Sequence, residues 1–329
     1  MNYQPPYTLS SEILNLAAEI SERIGRLSAQ VDQARALRLR RINRIRTIRG
    51  SLAIEGNTLS EAQITAILEG KRVIAPPREV QEVKNALSAY ERFDQWQPHS
   101  EMDLLEAHRI LMSGLIEEAG VYRQGGVGVM AGQQVIHMAP QAERVPKLMA
   151  ALFAWIKVAD AHPLIASSVF HYEFEFIHPF ADGNGRMGRL WQSLILARWN
   201  PLFAEIPVES LIFEHQADYY QALQDSTDKS DSRPFICFML RMILETVTTS
   251  TPEVAPEVAP EVQWLSIFSG EMTRQQLKAA MGLKDDEHFR KAYLIPAVEA
   301  GLVEMTIPEK PRSKNQKYRL TAKGLQMAE

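Results

Sequence analysis

The sequence predicts a mainly α-helical bundle that carries one small β-hairpin and is followed by a small winged helix-turn-helix domain. Three observations predict it. Apolar residues recur at three- and four-residue spacing through most of the first 250 positions. One glycine-rich stretch, 120–137, breaks that period with short β-branched pieces. A tandem Pro-Glu-Val segment, 251–262, separates a C-terminal part in which helical periods give way to two short strand-like runs. The 329 residues, 46% apolar and 23% charged, are enough for two or three domains with cores of their own.

In chain order, Ile13, Leu16, Ile20, Ile24 and Leu27, then Leu37, Ile42, Ile45 and Ile48, mark helices over 10–49. Within 33–54, Arg35, Arg38, Arg40, Arg41, Arg44, Arg46 and Arg49 stand without an acidic residue. They read first as a solvated or partner-facing helix surface, with a nucleic-acid or phosphate contact as the sharper alternative. Ser60-Glu-Ala-Gln63 is a capping box that opens a helix stopping near Gly70. Pro76-Pro77 starts a helix to about Trp96, and Ser100 caps another to about Leu115. The glycine-rich stretch reads as a hairpin, Val127–Val129 against Val135–His137, turning at Ala131-Gly132. Helices resume at 143–157, 163–176 and 186–198, with more between Ser210 and Val247. The Pro-Glu-Val units at 251–262 are an extended spacer of roughly 3 Å per residue. Beyond it, helices over 273–281 and 285–300 and two strands around the basic loop 310–317 follow winged-helix order. The expected organisation is therefore an N-terminal helical region 1–99, a core 100–250, the linker 251–262 and a winged-helix-like domain 263–329.

A net charge of −4 does not call for nucleic acid or a membrane surface. Cys237, the single cysteine, excludes an intrachain disulfide and a cysteine metal cluster. No run of 18 apolar residues and no basic-then-apolar leader is present, so the expected compartment is the cytoplasm, away from the membrane.

The chemistry concentrates in His178-Pro-Phe-Ala-Asp-Gly-Asn-Gly-Arg-Met-Gly-Arg189. Pro179 ends the preceding helix, and Gly183 and Gly185 let the backbone turn and expose its N–H groups around Asn184. A helix then starts at Arg186, and its N-terminus attracts an anion. Arg186 and Arg189 lie three apart on one face, which suits a polyphosphate. Asp182 beside them is placed to hold Mg²⁺, which takes one or two protein oxygens and keeps most of its waters. His178, with an ordinary pKa of ~6.5, can take a proton from a hydroxyl nucleophile. Gly183-Asn-Gly185-Arg-Met-Gly188 matches G-x-G-x-x-G, but it follows a helix instead of a strand, and a phosphate-loop lysine is lacking. A plain interhelical turn would not need His, Asp, Asn and two Arg within twelve residues.

This segment resembles the signature of the Fic (filamentation induced by cAMP) family, H-x-F-x-D-G-N-G-R-x-x-R, at each defined position. The likeness runs over roughly 45–250 and includes Tyr122-Arg123, the hairpin and Tyr219-Tyr220-Gln-Ala-Leu223. It implies a Fic-type helical bundle with a hairpin flap, most members of which transfer AMP from ATP to Ser, Thr or Tyr of a target protein. On the matching residues it implies His178 as general base and Asp182 as holder of Mg²⁺. It also implies the backbone of Gly183–Gly185 and the Asn184 side chain on phosphate oxygens, with Arg186 and Arg189 on the β/γ end. The hairpin at 127–137 would clamp the target segment by strand addition. Tyr219 and Tyr220 are candidates for the adenine. Ser51-Leu-Ala-Ile-Glu55-Gly resembles the family's inhibitory motif, which implies that Glu55 pairs with Arg189 and denies it to ATP.

His171 reads as structural and Cys237 as inert core, whereas His108 and His162 have no partner that the sequence names. Other outcomes stay open: removal of AMP, a different nucleotide donor, or a nucleotide-sensing DNA-binding regulator whose winged helix contacts DNA or protein. The target and the oligomeric state, a homodimer included, are not set by the sequence.

Overall fold

The computed structural model describes residues 3–30, 33–131, 134–250, 264–268, 270–281, 283, 285–299, 301–307, 309, 313, 316–321 and 324–325. The chain divides into two compact units, Met1–Thr251 and Pro252–Glu329. The Pro-Glu-Val segment lies outside the described residues.

The first unit holds eleven α-helices among its described residues: α1 Ser11–Gln30, α2 Gln33–Ile54, α3 Glu61–Leu68, α4 Pro77–Arg92, α5 Glu101–Leu111, α6 Val145–Val158, α7 Pro163–Ile177, α8 Asn184–Trp199, α9 Val208–Glu214, α10 Gln216–Lys229 and α11 Arg233–Ser250. The antiparallel hairpin β1 Gly128–Ala131 and β2 Gln134–Met138 sits between α5 and α6. It pairs Gly128 with Met138 and shifts register between Val129 and Met130. One hydrophobic core runs through the unit, so residues before and after position 100 pack together.

Periodicity places most of these helices. Ile13, Ala17, Ile20 and Ile24 bury one stripe of α1, and α1 lies against α11. On α2 the buried stripe is Ile45, Ile48 and Leu52, while Ile42, expected to share it, is exposed. The capping box at Ser60 forms with Gln63 as expected. Ser100 likewise accepts the Asp103 N–H. The helix expected to reach Leu115 stops at Leu111, ahead of Gly114 at φ +70°. Helices α7 and α8 are buried nearly all round and pack against each other at the centre of the unit.

The second unit has its own core of Leu265, Leu277, Phe289, Leu294, Ala297, Leu302 and Val303. Thr273 caps the helix Arg274–Ala280 with a capping box to Gln276. A second helical stretch, 286–299, contains a π turn at Arg290–Leu294. The sheet has three strands where two were expected: β3 Met272–Thr273 joins β4 Val303–Met305 and β5 Lys317–Leu320 in the order β3-β5-β4. Most of the basic loop 310–317 lies outside the described residues.

Candidate active site

The site is the loop between α7 and α8. At its start His178 takes φ +50°, a left-handed conformation unusual for a residue with a Cβ, and its N–H closes α7 on Phe174 O. At its end Gly183 takes φ +84°, and a Cβ there would meet Met112 Sδ at 2.6 Å. Helix α8 begins at Asn184, two residues before the expected start. The Asn184 side chain is spent on the loop itself: Oδ1 accepts from Phe180 N–H and Nδ2 donates to Phe180 O, both at 2.9 Å. Both polar atoms of this side chain thus hold the turn, and Asn184 is 2% exposed.

His108 braces the same loop. Its ring stacks on Phe180 with centroids 3.6 Å apart. Its Nδ1 accepts from Gly120 N–H at 2.9 Å, so the proton resides on Nε2, which donates to Asp182 O at 3.0 Å. Burial pushes its pKa down to about 4, which keeps the ring neutral.

Charge is arranged in carboxylate–arginine contacts. Asp182 Oδ1 accepts from Gly183 N–H at 2.6 Å and meets Arg186 Nη2 at 3.2 Å, while Oδ2 meets Arg78 Nη2, from α4, at 3.2 Å. Arg186 is buried, with Nη1 3.6 Å from Glu82 Oε1. Its Nε and Nη1 form no hydrogen bond among the described residues. Arg189 donates from Nη2 to Glu55 Oε1 at 2.7 Å and to Ser51 O at 3.0 Å, and from Nε to Ser51 Oγ at 3.2 Å. The expected Glu55–Arg189 pair thus joins the end of α2 to α8. Burial lowers the Arg189 pKa, but Glu55 and other acidic neighbours raise it further, so it is fully charged. A Cβ on Gly185 would collide with Glu55 Oε1, so this carboxylate lies directly over the first turn of α8.

The family description Fic/DOC matches residues 98–196, and "Filamentation induced by cAMP protein Fic-like, C-terminal domain" matches 260–321. The crystal structure of a Fic family protein from Desulfovibrio desulfuricans G20 is 52% identical, covers 98% of this chain and 99% of its own, and superposes with a TM-score of 0.76. This chain belongs to the Fic family. Fic-1 from Caenorhabditis elegans, as a solved structure, is 25% identical with a TM-score of 0.62, over 72% of this chain and 71% of its own. The "Protein adenylyltransferase Fic" of Nematostella vectensis is 32% identical over 60% of this chain and 46% of its own length. The "Protein adenylyltransferase fic-1" of Caenorhabditis elegans is 32% identical over 58% of this chain and 38% of its own. This chain therefore spans less than half the length of those curated relatives.

Within the Fic loop, Asp182 is 41% exposed at its side chain and suits a cation that needs one protein carboxylate. Among the described residues no group of three His, Cys, Asp or Glu converges as a metal cage. The two tyrosines part company. Tyr219 is 1% exposed; its hydroxyl meets His171 Nε2 at 3.2 Å and its ring packs on Phe235 and Phe238. It is a core residue. Tyr220 is half-buried, and burial and then Glu55 raise its pKa, which puts it at the Glu55 side of the site. His171 is structural, with Nδ1 2.6 Å from Gln192 Oε1. Cys237 is buried in the core.

Arg123 fastens the Fic flap to the loop. Nε donates to His178 O at 2.7 Å, Nη1 to Gly125 O at 2.8 Å and Nη2 to Pro140 O at 2.5 Å, while its N–H donates to Pro179 O. One guanidinium thus holds both ends of the hairpin and the backbone of His178. Sequence reasoning noted Tyr122-Arg123 without a role, because four backbone carbonyls carry no residue signal. His108 could have been noticed from its spacing, since it falls on the Leu104, Leu111 face of α5, which is buried.

Proposed function

We propose that the protein transfers AMP from ATP to a hydroxyl of a target protein, and that Glu55 holds the reaction in check. The observation that carries this reading is the Glu55–Arg189 contact of 2.7 Å across the first turn of α8. A buried arginine beside the first N–H groups of a helix is an anion site, and here a carboxylate of the same chain stands against it. The similar proteins named as adenylyltransferases support the donor and the reaction class.

His178 takes the proton from the target hydroxyl as general base. Its backbone is set by Arg123 and by the Phe174 carbonyl, so the ring is aimed without cost at the moment of reaction. Backbone N–H groups of Gly183–Gly185 and the guanidiniums of Arg186 and Arg189 bind phosphate oxygens, with Nε and Nη1 of Arg186, which make no hydrogen bond among the described residues, supplying donors. Asp182 is the residue that would hold Mg²⁺, which when bound offsets phosphate charge. The β1–β2 edge would receive the target segment by strand addition. Residues 1–99 serve as the regulatory part and 100–250 as the catalytic core; the C-terminal unit would contact protein or DNA.

Glu55→Gly is expected to gain ATP-dependent label by at least about tenfold, since freeing a charge-assisted contact on buried Arg189 is worth about 1.4 kcal/mol or more. His178→Ala is expected to abolish label in either background. Mass spectrometry after incubation with ATP and Mg²⁺ reads the result as a gain of one AMP. An unlabelled Glu55→Gly protein sinks the brake, and label that survives His178→Ala sinks the base.

A further inference from the structure

Glu82, on α4, has no part in the reaction just proposed, yet its carboxylate faces the first arginine of the site. Its side chain is 12% exposed. Oε1 lies 3.6 Å from Arg186 Nη1 and 3.5 Å from Arg78 Nε. Oε2 accepts from Asn57 Nδ2 at 2.9 Å. Asn57 is buried and follows Glu55 by two residues. Its Nδ2 also donates to Glu79 O, and its Oδ1 accepts from Leu59 N–H, so both polar atoms of the side chain are held. The turn that carries Glu55 against Arg189 therefore also steadies Glu82 against Arg186.

The two carboxylates work differently. Glu55 takes a donor, Nη2, from Arg189. Glu82 takes none from Arg186: 3.6 Å is too long for a hydrogen bond, and Arg186 Nε and Nη1 are left without an acceptor among the described residues. Buried donors left unmade are costly, and an anion that reaches them removes the cost. Glu82 thus opposes that anion by charge alone while leaving the donors open to it. In these contacts Arg78, Arg186 and Arg189 meet Asp182, Glu82 and Glu55, three charges against three. Withdrawal of Glu55 leaves one positive charge in excess.

We propose that Glu82 sets the affinity of the site for the donor's phosphates: held by Asn57, it opposes at Arg186 the anion that Glu55 opposes at Arg189, and it stays in place when Glu55 swings away. Glu82 acts through Arg186 and is a positioning residue. The inference rests on the reading that Arg186 binds phosphate, but its test does not depend on AMP transfer.

Inorganic triphosphate is the probe, titrated calorimetrically into the full chain with Mg²⁺ left out. All variants carry Glu55→Gln, so that Arg189 is open throughout. Adding Arg186→Ala is expected to weaken binding at least about tenfold, since a charged donor is lost. Adding Glu82→Gln instead is expected to tighten it about tenfold, since one opposing charge next to Arg186 is removed in a largely buried place. A merely structural role for Glu82 has the opposite sign, because a loosened site binds less well. The tightening is expected to persist when Arg78→Ala is also present, which separates Arg186 from the other arginine at Oε1. Asn57→Ala is expected to tighten binding by less, and to add nothing to Glu82→Gln. Should Asn57→Ala not fold, Glu82→Gln decides alone, since its amide oxygen still accepts from Asn57. Weaker or unchanged binding in Glu82→Gln, a gain that vanishes with Arg78→Ala, or binding indifferent to Arg186→Ala overturns the proposal. Tightening without AMP transfer from ATP would overturn the proposed function and leave the role of Glu82 standing. AMP transfer with triphosphate binding unchanged in Glu82→Gln does the reverse.

Discussion

The two sides of the site are built differently. On the α7–α8 side, the loop itself is fixed by backbone hydrogen bonds: Asn184 on Phe180, His108 on Asp182, Arg123 on His178 and Pro179. On the α2–α4 side, two of the contacts are ion pairs with a partly exposed member: Glu55, 29% exposed, on Arg189, and Arg78, 59% exposed, on Asp182. Fastening by buried backbone groups costs several kcal/mol to undo, whereas an exposed ion pair exchanges readily for another anion or cation. The difference teaches which half is template and which half can let go.

The largest effect is expected from attacking the fixed side. Arg123→Ala leaves the carbonyls of His178, Gly125 and Pro140 without their shared donor in a buried place. A loss of about 3 kcal/mol in unfolding free energy is expected, since several buried acceptors lose partners at once. Denaturant unfolding of the first unit measures it. A loss no larger than that of an exposed substitution would erase the contrast between the two sides.

An intermediate effect is expected from pH. The Glu175 pKa stands at about 8 against an ordinary 4.5, chiefly through burial. Between those values the unfolded chain has released this proton and the folded chain has not, so the unfolded state binds fewer protons and stability falls as pH rises. The stability tied to Glu175 is fully present below about pH 4.5 and lost as pH climbs to about 8. Glu209, raised to about 7 by burial, adds to the same slope. Thermal unfolding at pH 5 and pH 8 should differ by on the order of a few kcal/mol. Glu175→Gln should flatten much of that difference, and a slope unchanged by it would remove Glu175 from the fixed side.

What could be read in the sequence follows the same division. The phosphate-binding character of 178–189 was legible because its residue types and spacing carry the chemistry, whereas the Glu55–Arg189 pair was legible only through the resemblance of Ser51–Gly56 to the family's inhibitory motif. The bundle was legible because the buried stripes of α1 and α2 repeat at helical spacing. The roles of Arg123 and His108 were not, since their partners are backbone atoms or side chains brought together only by the packing of α5, α7 and α8. The burial of Tyr219 was hidden for a related reason: its neighbours Phe235 and Phe238 come from another helix, and their packing puts the ring in the core. The third strand of the C-terminal sheet, two residues long, was too short to show a period.

The smallest effect on stability, and the sharpest test of the releasable side, comes from Arg78. Its guanidinium meets Asp182 Oδ2 at 3.2 Å and lies 3.5 Å from Glu82 Oε1, with its side chain largely in solvent. Such a pair is worth less than about 0.5 kcal/mol, so Arg78→Ala should leave unfolding nearly unchanged. It should still change what Asp182 does. While Arg78 is present, a cation approaching Asp182 has to displace it, and without it the carboxylate keeps only Arg186 and the Gly183 N–H. Binding of Mn²⁺ as a probe for Mg²⁺, followed by electron paramagnetic resonance, is expected to tighten several-fold in Arg78→Ala, because one competing charge at 3–4 Å is removed in a partly exposed setting. Weaker binding would mean that Arg78 orients Asp182 instead of competing for it, and that the α4 contact belongs with the template.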